Sequence, residues 1–134
     1  MRNVLAFAAL LVCACTPSMQ AGDESGVTLS VDPTTVAAGE TVTLVLRNGS
    51  PTPVGYNLCS SGLEHNQAGA WHPIPSNRMC TMELRTLAPG EETRYPLEMP
   101  GGLEAGEYRF LTNLDMMGAA EGGSVRSGTF RVES

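Results

Sequence analysis

From Val27 onward, apolar and polar residues alternate with a period of two. Val27, Leu29 and Val31 alternate with Thr28, Ser30 and Asp32. Val42, Leu44 and Leu46 repeat the pattern against Thr43 and Arg47, with Val45 interrupting the polar face. Val54, Tyr56 and Leu58 form a third set, and Tyr95, Leu97 and Met99 a fourth. Tyr108 and Phe110 follow, then Phe130 and Val132. Successive side chains of a strand point to opposite faces, so this alternation marks strands with one buried face. Each run is short and bounded by Gly, Pro, Asn or Ser. No window of about ten residues carries the apolar stripe of a helix. Short strands at this spacing predict an all-β chain built as an antiparallel sandwich or barrel. Pro96 cannot donate to a ladder, so its strand is expected at an edge or with a bulge.

The turns are equally regular. Ala38-Gly39-Glu40, Pro89-Gly90-Glu91 and Ala105-Gly106-Glu107 each precede a strand. Glycine accepts the positive φ of a type II turn, which is the conformation expected at all three. Leu63-Glu64 and Ala70-Trp71-His72-Pro73-Ile74 read as the arms of a hairpin whose polar tip is His65 to Gly69. Trp71, the sole Trp, is expected against the sheet or core rather than in a ligand site. The segment Asn113 to Ser124 (NLDMMGAAEGGS) reads as a Gly-rich loop between the last two strands. Leu114, Met116 and Met117 are its candidate partner-binding residues, because exposed Met adapts to protein surfaces.

The N-terminus is of a different kind. Arg2 precedes Val4 to Val12, an uncharged apolar run, and small Ala14 follows. This is the layout of a secretory signal peptide. The run is too short for a transmembrane helix, which needs about 20 apolar residues. Val12-Cys13-Ala14-Cys15 resembles the bacterial lipoprotein signal. The resemblance implies cleavage after residue 14 and a lipid on Cys15, which would attach the chain to a membrane. Several acyl chains, at about 0.8 kcal/mol per buried methylene, make such an anchor effectively permanent. By the same resemblance, to lipoproteins sorted in two-membrane bacteria, Thr16 rather than Asp after Cys15 favours the outer membrane. Residues 15–26 are polar and without periodicity, as a flexible tether would be. The domain is then expected over residues 27–134.

Charge narrows the partners. Of 134 residues, 14 are acidic and 8 basic, all 8 being Arg, for a net charge of −6. Loss of residues 1–14 removes Arg2 and takes this from −6 to −7. With no basic cluster, nucleic acid is not an expected partner. An envelope protein is, together with the membrane through the lipid.

A family resemblance rests on four runs. They are Val36-Ala37-Ala38-Gly39-Glu40-Thr41-Val42-Thr43-Leu44, then Leu63-Glu64 with Trp71 after Gly69, then Leu87-Ala88-Pro89-Gly90-Glu91, and Leu103-Glu104-Ala105-Gly106-Glu107-Tyr108-Arg109-Phe110. Together they resemble the bacterial immunoglobulin-like (Big-type) domains of secreted and lipid-anchored proteins. The resemblance implies a β-sandwich of seven or eight strands. Tyr108, just after a turn, resembles the tyrosine corner of Greek-key sandwiches, where the phenol bonds back to turn backbone. The chain departs from antibody-type domains in lacking their Cys-Trp-Cys order. A related group of sandwiches inhibits bacterial proteases; an inhibitor would need a rigid inserted loop, expected near Asn66 to Ala70.

Cys59 and Cys80 remain in the exported part and are expected to pair, as cysteines of exported proteins do. A closed loop of about 20 residues would contribute roughly 3 kcal/mol in the chain-entropy model. It would also order Ser60 to Met79, a segment poor in apolar residues.

Catalytic patterns are not found. The chain contains no GxSxG, HExxH, P-loop or GxGxxG, so it does not read as an enzyme, and no cofactor is expected. Met79, Cys80 and Met82, with His65, His72, Met116 and Met117, offer soft donors that would suit Cu(I) in an envelope metal-binding protein. Their spacing matches no ligand motif and Cys80 is claimed by the disulfide, so no metal ligand is assigned. The leading expectation is a non-enzymatic, lipid-anchored envelope protein with a structural or protein-binding immunoglobulin-like domain. Copper binding and protease inhibition stand as alternatives.

Overall fold

A computed structural model of the chain describes residues 26–117 and 122–134. The proposed lipid site at Cys15, with residues 1–14 and most of 15–26, lies outside the described residues. The strands are β1 (Val27–Asp32), β2 (Thr35–Ala37), β3 (Thr41–Asn48), β4 (Val54–Tyr56), β5 (Gly62–Gln67) and β6 (Ala70–Ile74). They continue with β7 (Arg85–Leu87), β8 (Glu92–Glu98), β9 (Gly106–Met116), β10 (Gly123–Arg126) and β11 (Phe130–Glu133). A 3-10 turn covers Leu58–Ser60. No described helix is long and apolar enough to cross a membrane.

Two sheets form. One has the order β1-β3-β8. The other runs β2-β11-β9-β4-β7, with β10 and β5 also pairing β9, and β6 pairing β5. β9 is the spine of the larger sheet because it is long enough to serve four partners. Its Gly106–Tyr108 portion pairs β11 and Leu111–Leu114 pairs β10. Across its other edge, Tyr108–Leu111 pairs β5 and Leu114–Met116 pairs β4. The described residues form eleven strands where seven or eight were expected; the three not read from the alternation are β2, β7 and β10. Each contributes one buried residue, Val36, Leu87 and Val125, too few to show a period of two. One pairing, β2 with β11, is parallel rather than antiparallel.

The core lies between the sheets and is made of the alternating residues. Val27, Leu29 and Val31 on β1 and Val42, Leu44 and Leu46 on β3 meet Tyr108, Phe110, Leu114, Phe130 and Val132 of the larger sheet. Phe110 stacks on Phe130 at 5.5 Å, and Tyr108 on His65 at 4.3 Å with planes only 6° apart. Pro96 lies on β8, an edge strand, as its missing N–H requires. Asn48, fully buried, donates to the carbonyls of Thr52 and Leu87 and accepts from the Ser50 amide and hydroxyl. It thereby ties the end of β3 to β7 across the two sheets. Among the described residues no buried side-chain polar atom lacks a partner.

Gly39 and Gly90 both have φ of +81°, the conformation expected of them. Gly106 differs. Its φ is +156°, it begins β9, and a Cβ there would lie 2.9 Å from His65 Nε2. The glycine is needed because the imidazole, clamped on Tyr108, occupies the side-chain space. Gly106→Ala is therefore expected to destabilise the domain by about 1–3 kcal/mol through overpacking. Urea denaturation checks this, and a matching loss of the urea midpoint is the expected result.

Candidate functional site

Three features of the chain carry polar or apolar groups beyond what the core requires. The first is the hairpin of β5 and β6. It turns through Ala68 and Gly69, with φ of +52° and +85°. Positive φ at both central residues is the mirror-image turn that suits the twist of paired strands. Asn66 Oδ1 accepts the Gly69 amide at 3.0 Å and steadies it. The expected five-residue tip is thus a tight two-residue turn, and His65, Asn66 and Gln67 belong to β5. His65 is buried on Tyr108, while Asn66 is polar because it faces outward. Residues 66–70 form no inserted loop of the kind an inhibitor would need.

The second feature is the outer face of the larger sheet. Arg109 Nε donates to Glu64 Oε1 at 2.9 Å, and the two side chains are only 21% and 17% exposed. Arg126 lies 4.0 Å from the same carboxylate. The Arg109 guanidinium lies 4.1 Å over the ring of Trp71. Trp71 therefore packs at the sheet surface and is occupied by an internal cation. Asn66 Nδ2 donates to Glu107 Oε2 at 2.9 Å on the same face. The sequence carried no signal for this cluster, because Glu64, Asn66, Trp71 and Arg109 meet only once β5 has paired with both β6 and β9.

The third feature is the segment 75–84 between β6 and β7, here called the strap. It has no strand or helix of its own. Cys59 and Cys80 form a disulfide with Cα atoms 5.8 Å apart. Arg78 reaches back along the same line, its Nε donating to Cys59 O and its Nη2 to Ser61 O, both at 2.8 Å. Asn57 Nδ2 donates to Thr81 O at 2.7 Å. The cross-link was expected to order all of Ser60 to Met79. Instead β5 and β6 order themselves by pairing with β9 and each other, and only the strap depends on it. Met79 and Met82, on either side of Cys80, are 95% and 98% exposed. Two grooves flank the strap. One, of about 420 Å³, lies toward Thr93–Tyr95 on β8 and is bordered by Met79. The other, of about 350 Å³, lies toward Asn113–Asp115 on β9 and is bordered by Met82.

The candidate residues of the 113–124 segment do not form a loop surface. Leu114 and Met116 are on β9, paired with Tyr56 and Val54. Leu114 is 4% exposed and a core residue, and Met116 packs against the core. Only Met117 is substantially exposed, at 41%. The apparent loop began where the alternation Thr112, Leu114, Met116 was still running, and adjacent Met116 and Met117 hid it. The soft donors are also dispersed. Met79 and Met82 border different grooves, Cys80 is in the disulfide, and His65 is buried on Tyr108. Among the described residues no group of three or more His, Cys, Asp or Glu could hold a metal.

Tyr108 Oη donates to the Glu104 carbonyl at 2.7 Å, the bond of a tyrosine corner, closing the turn that leads into β9. Two sheets packed face to face around an apolar core, with this corner, define an immunoglobulin-like sandwich. The chain belongs to the bacterial Ig-like domain family, whose model matches residues 23–131. No curated protein matches it. Among solved structures it is similar to Pseudomonas fluorescens alkylpurine DNA glycosylase AlkC bound to DNA containing an abasic site analog, at 18% identity and a TM-score of 0.43, over 87% of this chain and 33% of that one. It is also similar to Spo0M, a sporulation control protein from Bacillus subtilis, at 19% identity and a TM-score of 0.45, over 81% of this chain and 49% of that one. The chain thus spans about a third and a half of these two proteins.

Burial, and secondarily the Glu104 carboxylate, hold the Tyr108 phenol above its ordinary value of 10.0. Below pH 10 the phenol is protonated in both folded and unfolded chains and its bond contributes fully. As pH rises past 10 the unfolded chain loses its proton first, so this contribution falls until the folded value is passed. Tyr108→Phe is expected to lower stability at neutral pH by about 1 kcal/mol. It should also flatten the loss of stability above pH 10. Denaturant titrations of both proteins at several alkaline pH values measure the two effects.

Proposed function

We propose that the chain is a non-enzymatic, lipid-anchored protein of a bacterial envelope whose immunoglobulin-like domain serves a structural or protein-binding role. Domains of this family are binding or structural modules, which is the coarse reading the fold supports. The strap carries the finer one. A segment without secondary structure is fixed by a disulfide and three hydrogen bonds, yet presents two methionines almost fully to solvent. A side chain that packs nothing in its own fold, on backbone held in one place, is suited to contact another molecule at little cost in ordering. The attachment at Cys15 is supported by the sequence pattern Val12-Cys13-Ala14-Cys15.

The anchor is tested by Cys15→Ala, followed by metabolic labelling with a palmitate analogue and membrane fractionation. The unaltered chain is expected to carry label and sediment with membranes. The variant is expected to carry none and to leave the membrane fraction. Retention of label in the variant would remove Cys15 from its role.

A further inference from the structure

The strap face carries projections and recesses side by side. Met79 and Met82 project at 95% and 98% exposure, and the two grooves lie immediately beside them. The groove toward β8 has Tyr56, Leu58 and Tyr95 in its wall. The groove toward β9 has Leu84 and Leu114. Both volumes, about 420 and 350 Å³, fall in the range of roughly 300–1,000 Å³ found for ligand pockets. We infer that this face is self-complementary and that two copies of the chain pair through it, Met79 and Met82 of each copy seating in the grooves of the other.

Symmetry is the first argument. In a two-fold pair the same patch meets itself, so it must present both what inserts and what receives. This face does. Charge is the second. Arg85 and Arg94 line the grooves together with Glu83 and Asp115, a local balance in a chain of net charge −6. Arg85 lies 3.8 Å from Glu83 and Arg94 3.7 Å from Glu92, so both signs are present in exposed positions and can exchange partners across a two-fold axis. A patch of one sign would repel its own copy. Preorganisation is the third. The disulfide and Arg78 fix the strap before any encounter, so pairing does not require a mobile loop to be ordered. The inference rests on reading the domain as a binding module and is independent of the lipid on Cys15.

A photo-reactive benzophenone side chain placed at position 79 or 82 of the full chain, irradiated in the expressing cells, tests this. The expected product has twice the mass of one chain, with the cross-link mapped to residues 56–58, 93–95 or 113–115 of the second copy. Retention of the Cys59–Cys80 disulfide, read by gel mobility with and without reductant, shows that the labelled chain is folded. In parallel, sedimentation of the purified full chain in detergent is expected to show a dimer. Met79→Asp with Met82→Asp should weaken its association at least tenfold, while Thr28→Asp, on β1 and outside the lining of either groove, should leave it unchanged. Cross-links only to a different envelope protein would overturn self-pairing and leave the binding role standing. No cross-link from either position, or a dimer indifferent to both Asp substitutions, would also overturn it, and the former would count against the binding role as well.

Discussion

The Cys59–Cys80 bond joins two segments that no strand ladder holds together. At one end of the strap, β6 is fixed by β5, and at the other β7 is fixed by β4. Between Ile74 and Arg85 the backbone has no strand partner and is held by the disulfide, Arg78 and Asn57. The position of the two grooves follows from that constraint, because the strap is the wall they share. So does the exposure of Met79 and Met82: a strap pinned at Cys80 cannot fold them back onto the sheets. The bond acts on local geometry more than on the sandwich, which has a continuous apolar core of its own.

The core was legible because strand alternation reports which face is buried, and it does so without knowledge of strand partners. Val27, Leu29, Val31, Val42, Leu44, Leu46, Tyr108, Phe110, Phe130 and Val132 are all buried as the period of two requires. Cys59 with Cys80 was legible because two cysteines left in a chain expected to be exported usually pair, and Tyr108 because its turn precedes it in the chain. Other features depend on partners distant in sequence. Nothing near Asn48 in the sequence points to Leu87, 39 residues away, whose carbonyl it binds. Gly106 reads as a turn glycine until β5 pairs with β9 and puts His65 in its side-chain space. Leu114 and Met116 read as loop because a Gly-rich stretch follows them, although β4 and β10 both pair there. The strap itself was legible as a cross-linked segment and not as a surface, since exposure is a property of the packed fold.

The two outward features of the larger sheet contrast in chemistry. On its outer face, Glu64, Arg109 and Trp71 satisfy one another, and half-buried charges with good geometry leave little free to bind. At the strap end the apolar groups have no such internal partners, and the neighbouring grooves are open. Recognition in immunoglobulin-like domains often uses the loops at one end of the sandwich, and here a disulfide ties such a loop to the segment after β4.

The central claim is that the strap is held in one conformation by its cross-link. Backbone nitrogen-15 relaxation across residues 76–84, before and after reduction, measures this directly. With the disulfide intact, order parameters near about 0.85, the level of rigid backbone, are expected from Arg78 to Thr81. On reduction they should fall below about 0.6 while those of β3 and β9 stay unchanged. Order parameters below about 0.6 in the oxidised protein would contradict the account, because the methionines would then be carried on a mobile loop.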